Sequence, residues 1–517
     1  MWPEPPLETK TLSNGKITDI LMPNTSADAE AEAEKLSFPA DFFIGSATAA
    51  YQVEGGLHKS NWAKWERDGL NHGHFAGKAC DMWNLFEEDV KKMKALGLRM
   101  YRFSVDWSRC EPSEGKFDSA AIKRYVSWCA LLRENGIEPM VTLHHFVEPE
   151  WFDDKGGWEV SANVVYFTRF VAKVVPLLCP HCTYWCTLNE LNGFAMCGWV
   201  AGVHPPGKKD DPIMMIRVIK HMLDAHVAAV KIIRAESGSC VQLSGPSKGS
   251  GATPITMLAT SHVLFTPMPG WGPLALLASV IAVVVQYLFN FLYHDMVVYG
   301  RVAWAFYPVV WAFGWLDDLR ALKGTVDVIG INHYYRSVVR LTGESMAGRV
   351  PGAGDLFLAL PFGYTITALG MDNFEKSDFN WDLTPSSMER FLRVIWARYK
   401  MPMMVTESGC ADREDPDDRR TRYLAGVFGV AHKLRAEGVD LRGYLVWTLL
   451  DNFEWAEGIN QRFGLLHNDF KTQTRSERAS STMIKKLTGV YKGGSNGKAV
   501  RATTPKRAAA SPQRKRK

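Results

Sequence analysis

Cysteine is sparse and scattered: nine thiols, at positions 80, 110, 129, 179, 182, 186, 197, 240 and 410, form no evenly spaced framework. A small disulfide-stapled scaffold is therefore excluded. The one cluster, CPHCTYWC, groups Cys179, Cys182 and Cys186 with His181. No second half-site follows at a matching spacing, so no metal is expected, and the stretch reads as a turn entering a buried strand. No repeat recurs at 20–50 residues, which argues against a solenoid. No Gly-rich phosphate loop follows any apolar run, which argues against a nucleotide-binding open sheet. The opening MWPEPPLETK is acidic and proline-rich, without an apolar stretch, so no secretory signal is expected there. Reduced thiols and a cytoplasmic setting follow as expectations.

Acid is missing from the last 26 residues, which hold nine Lys and Arg. They turn a body four charges negative into a chain of net charge +5. Such a tail, poor in apolar residues, is expected to be disordered, with an anionic surface, a membrane or nuclear import as its candidate uses. No nucleic acid is required as a partner. Residues 1–36, with the run ADAEAEAEK, read as a flexible acidic extension. The simplest partition is 1–36, one globular body at 37–491, and the basic tail at 492–517.

What the body does contain is a recurring unit of short apolar or β-branched runs alternating with amphipathic stretches. The runs fall at 42–49, 99–107, 138–145, 184–190, 255–265, 326–335, 401–409 and 441–451. Eight alternating units argue for an α/β protein built as a closed (β/α)8 TIM barrel, with a doubly wound sheet as the competing arrangement. The runs end in polar side chains: Arg102, His145, Asn189 and Glu190, His262, Asn332, Tyr334, Glu407 and Asp451. In a closed barrel those ends converge on one face.

Convergence would bring Glu190 and Glu407 together from strands 217 positions apart. A carboxyl pair is what acetal cleavage needs: one protonates the departing oxygen, and the other attacks or stabilises the cationic carbon. The two pKa values must then be pushed apart, and Arg102 stands where it can keep one carboxylate ionised. No cofactor is called for. Tryptophan, 18 residues of it, is abundant, and Trp447, Phe453, Trp455 and Phe463 crowd the stretch after the eighth run. Aromatic faces of this kind suit sugar rings, whereas Trp62, Trp65, Trp83 and Trp128 read as core.

From about Phe38 to Lys486 the chain resembles glycoside hydrolase family 1, the β-glucosidase-like retaining glycosidases. The motifs are FPADFFIGSATAAYQVEGG, YRFSVDWSR, VTLHHF, YWCTLNE, GINHYY, VTESG and WTLLDNFEWAEG, in family order. The resemblance implies Glu190 as general acid/base and Glu407 as nucleophile. It places Gln52, His145, Asn189, Glu454 and Trp455 around the non-reducing sugar, with Trp447 and Phe463 beside them. Tyr334 and Arg102 would touch the nucleophile, and Asn332 would support the site. An acid at 190 implies an O-glycosidase rather than a thioglucosidase. Glu454 implies unphosphorylated gluco-, galacto- or fuco-type substrates, that is, a small-molecule β-glycoside. Two departures stand out: Ser408 where the family usually has Asn, and Phe146 where Trp is common.

The fifth unit departs furthest. SCVQLSGPSKGSGAT (239–253) reads as an inserted flexible loop, and residues 274–293 carry no charge at all. Ser279, Gln286, Asn290 and His294 share one helical stripe, which favours a barrel helix over a membrane-contacting one. The alternative functions are a membrane-associated transglycosidase acting on glycolipid head groups, and a catalytically weak sugar-binding protein.

Overall fold

Eight parallel strands close on themselves. They are β1 (Phe43–Ala47), β2 (Met100–Ser104), β3 (Glu138–Thr142), β4 (Tyr184–Asn189), β5 (Ile255–Pro267), β6 (Ile329–Leu341), β7 (Met403–Ser408) and β8 (Leu441–Trp447). Each pairs in parallel with the next, and β8 pairs with β1 to shut the ring. All eight lie where the alternating apolar runs place them. The structure, a computed structural model, describes residues 8–12, 14–243, 253–267, 273–341, 358–360, 364–367 and 374–491. The basic tail lies outside the described residues, as does most of the expected loop at 239–253; the helix before it, Pro212–Leu243, runs into that stretch.

The barrel interior is plugged by Met100, Met140, Met257, Met404 and Leu445, all fully buried. Strand side chains alternate between faces, so the residue two positions further on points inward one layer higher. That layer contains Arg102, Thr142, Ala259, Thr406 and Trp447. An apolar floor thus carries a polar layer at the carboxyl rim. The outer faces of the strands pack on the surrounding helices in a second, larger cluster.

Two expectations are corrected. The acidic run near the N-terminus is folded: Thr25 caps the helix Ser26–Ala33, whose Ala29 and Ala33 are fully buried. Ser26 donates to Asp418, and Glu30 pairs with Lys486 at 2.8 Å. Its alanines supply the apolar face that the charge-rich composition hides. Cys179 is disulfide-bonded, against the expectation of uniformly reduced thiols, whereas among the described residues seven other cysteines are free.

The uncharged segment is not a barrel helix along its whole length. It forms the helix Pro273–Gln286, a π-turn at Tyr287–Phe291, and the helix Leu292–Tyr299. Met296 and Val297 of the last part are buried in the main core. The first part packs instead, through Ala278 and Ala282, on Val339 of β6, beyond the barrel proper.

Candidate active site

The rim holds Glu190 and Glu407, and strand irregularities aim both. In β7, Val405 and Glu407 oppose Ile331 and Asn332, so two steps on one strand match one on its neighbour. This bulge turns Thr406 and Glu407 to the same, inward side, where plain alternation would send Glu407 outward. In β4 the register shifts between Cys186 and Asn189, which brings Asn189 inward. Glu190 follows in left-handed backbone, φ 45°, and its N–H donates to Ala259 O at 2.7 Å. A non-glycine residue held so is strained, and such strain clusters at working sites.

Glu407 is gripped from two sides: Arg102 Nη1 donates to Oε1 at 2.5 Å and Tyr334 OH to Oε2 at 2.9 Å. Burial pushes its carboxyl up, and Arg102, Tyr334 and Asn332 push back. Glu190 accepts from Asn332 Nδ2 at 2.8 Å. Burial foremost, and then the negative charge of Glu407, raise its pKa to about 8. The group with the guanidinium and the phenol ionises first, leaving a protonated acid beside a carboxylate.

Asn332 and Asn189 tie the pair together. Thr406 Oγ1 donates to Asn332 Oδ1 at 2.6 Å, which directs the amide nitrogen to Glu190 and to Asn189 Oδ1. Arg102 Nη2 also donates to Asn189 Oδ1, at 2.6 Å, so Asn189 Nδ2 must face His145 Nε2, 3.0 Å away. His145 therefore accepts on Nε2 and carries its proton on Nδ1. Burial holds its pKa well below the usual value, so the ring stays neutral. Among the described residues Nδ1 has no partner, and neither has Gln52 Oε1, whose amide nitrogen donates to Phe453 O. An unpaired buried donor and an unpaired buried acceptor fit a ligand rich in hydroxyls.

Glu454 accepts from Trp447 Nε1 at 3.1 Å and from Gln52 Nε2 at 3.3 Å. Trp455 stacks beside His145, with ring centroids 6.1 Å apart, and against Tyr51 and Trp62. Phe463 lies 6.2 Å from Tyr334. Every expected site residue thus falls within one connected group. Two other strand-end residues do not. His262 is buried against His294 and Phe391, and Asp451 binds His467 and Arg478. Among the described residues no group of His, Cys, Asp and Glu could hold a metal ion.

The sequence pattern of Glycosyl hydrolase family 1 matches residues 34–263 and 296–491. The chain belongs to that family. It is 30% identical over 480 residues to beta-glucosidase A of Acetivibrio thermocellus, covering 88% of this chain and 98% of that one. A beta-glucosidase of Thermotoga maritima, solved in complex with deoxynojirimycin, superposes with TM-score 0.75 at 26% identity, covering 88% and 99%. A beta-glycosidase from Pyrococcus horikoshii gives 0.73 at 27%, covering 88% and 95%. The protein is thus a retaining β-glycosidase acting on small-molecule glycosides. Neither transfer to glycolipids nor binding without turnover gains support from these relatives.

The two departures have different consequences in this glycosidase. Ser408 points out of the barrel, with its hydroxyl 3.1 Å from that of Tyr423. Phe146 sits 5.3 Å from Trp455 and so shapes its wall. Gly409 is dictated by space: a Cβ there would stand 1.9 Å from Trp447 O. Sequence reasoning missed Trp381 and Phe379, which stack on each other at 4.5 Å and extend the wall formed by Tyr334 and Phe463. They follow the sixth strand at a distance with no motif to flag them; an aromatic pair in FNW was the only signal.

Glu454 yields a stability prediction. Burial pushes its carboxyl up to about 8 from 4.5. The folded protein therefore keeps a proton that the unfolded chain sheds above pH 4.5, and stability drains away as pH rises toward 8. Each pH unit in that window costs up to about 1.4 kcal/mol. Glu454→Gln, which has no proton to lose, should melt with the wild type near pH 4.5 and several degrees above it at pH 8. Equal melting differences at both pH values, read by calorimetry, would contradict the buried-acid account.

Proposed function

We propose that the enzyme hydrolyses O-linked β-D-glucosides, with galactosides and fucosides as related substrates. Glu190 acts as general acid/base and Glu407 as nucleophile. The observation that carries this reading is the unequal treatment of the two carboxyls. Glu407 has a guanidinium and a phenol to keep it ionised, while Glu190 has one neutral amide and stays protonated to about pH 8. Asn332 bonds to Glu190 and lowers the pKa of Glu407 as well. One carboxamide serving both acids suits the narrow gap of retaining enzymes, roughly 5–5.5 Å, better than the wider gap that admits a water between the carboxyls.

In the first step Glu190 gives its proton to the glycosidic oxygen while Glu407 attacks the anomeric carbon. A glycosyl ester forms and the aglycone leaves. In the second step Glu190, now ionised, takes a proton from water, which displaces Glu407. Gln52, His145 Nδ1–H and Glu454 hold the hydroxyls of the non-reducing sugar, and Trp455 and Trp447 cover its faces. The relatives' names, beta-glucosidase A among them, support the gluco configuration.

A 2-fluoro-glucoside with a good leaving group should arrest the enzyme after the first step. Peptide mass mapping should then find the sugar on Glu407. Label on any other residue, or brisk hydrolysis with no label trapped, would overturn the assignment.

A further inference from the structure

Beyond the ring, β5 and β6 continue together as a ribbon, paired as far as Pro267 and Val339, and the far end of β6 also pairs antiparallel with the strand Tyr364–Thr367. Ala259 lies level with the catalytic floor, since its carbonyl accepts from Glu190 N–H. Eight further residues carry the ribbon about 26 Å past that level. β4 ends at Asn189, so the other edge of β5 loses its strand partner there. Polar side chains of the apolar segment serve this edge instead. Asn290 accepts from Val263 N–H at 3.0 Å and donates to Val263 O at 2.7 Å; Gln286 accepts from Phe265 N–H at 2.9 Å.

The consequence is a helix built inside out. Its polar stripe faces the protein. Its exposed side chains between 275 and 290 are all aliphatic: Leu276, Leu277, Val280, Val283, Val284 and Leu288. A helix in water does the reverse, and polar-inward packing is the pattern of helices bathed in lipid. The family pattern does not match residues 264–295, so the sequence shared with the family stops before this element and resumes after it. Beside it, Tyr287 stacks on Phe306 at 4.8 Å and anchors a segment whose Trp304 and Trp311 are 86% and 71% exposed. Exposed Trp next to an aliphatic face is the composition of a membrane interface.

We infer that this face docks on a lipid bilayer, with the helix lying in the surface and the catalytic rim turned toward it. A second copy of the chain fits the face less well. Protein interfaces carry a hydrogen bond per 100–200 Å² and a polar rim, and the outward face from Leu276 to Leu288 has no polar side chain. A span is excluded by the other face, which is bonded to the β5 edge, and by Leu292–Tyr299, which is built into the core. The inference stands apart from the assignment of the catalytic pair.

The test is flotation of the purified full-length chain with phosphatidylcholine vesicles at high salt, which silences the basic tail. The wild type should rise with the vesicles. Leu276→Glu, Val280→Glu and Val283→Glu together should lower the bound fraction at least about tenfold, because three charges replace exposed aliphatics that the bilayer would cover. Melting and turnover of a soluble aryl glucoside should stay unchanged. Val283→Lys alone serves if the triple variant misfolds. Wild type left unbound, or variants that float equally, would overturn the inference. So would a wild-type dimer that the variants dissociate, since a second copy would then own the face.

Discussion

Glu407→Gln should end turnover, with kcat falling on the order of a million-fold, the cost of deleting a covalent nucleophile elsewhere. The amide cannot attack the anomeric carbon. It still offers an oxygen to Arg102 Nη1 or Tyr334 OH, and Arg102 keeps its bonds to Thr142 Oγ1 and Asn189 Oδ1. The barrel should therefore stay folded, which circular dichroism and a melting curve can check. Burial of Arg102 is complete, so some stability is lost with its counter-charge. The decisive number is activity in the folded variant. More than about a hundredth of wild-type turnover, in material free of contaminating enzyme, is incompatible with a nucleophile at 407.

Glu190→Gln should split the reaction in two. Poor leaving groups need the proton, and their hydrolysis should fall roughly 10²–10⁴-fold. Dinitrophenyl glycosides need none, so their first step should survive while the second, which lacks its base, stalls. A burst of phenol followed by slow turnover is the expected trace. Added azide, which attacks without base help, should restore the rate and yield a β-glycosyl azide. The pH profile supplies an independent sign. The productive form of Glu190 is protonated, with its pKa pushed up to about 8. In the wild type kcat/KM should fall above that pH, and this alkaline limb should vanish in Glu190→Gln. A limb that persists would belong to Glu454, which burial raises to a similar value. Glu190 would then lose its role.

The eight strands were legible because each is an apolar run that stops at a polar residue, and in a parallel barrel both features have one cause. Inside the ring nothing but close packing is tolerated, and at the rim polar groups meet substrate. The same rule over-reached at His262 and Asp451, which end runs as Glu407 does yet face other partners. His262 lies on the ribbon beyond the ring, and Asp451 comes four residues after β8 stops at Trp447. The direction each side chain takes, invisible in a string of letters, separates them from the site: His262 turns to His294 and Phe391, and Asp451 to His467 and Arg478.

Helical spacing was read correctly at Ser279, Gln286 and Asn290 and given the wrong setting. Periodicity reports that polar groups share a stripe, and says nothing of whether water or an unpaired strand edge lies opposite. Only the ribbon of β5 and β6 decides that the stripe turns inward.

What the sequence by itself determined is the number of barrel strands, the polar chemistry at their ends and which two glutamates stand there, because short-range alternation and residue type are written locally. What the tertiary structure decided is which way the acids point. Glu407 reaches the pocket only because a bulge at Thr406 adds one residue to β7, and Asn189 does so by a similar shift in β4. One inserted residue exchanges the two faces of a strand, and nothing within the strand announces it. The shift is set by how neighbouring strands pair around the closed ring.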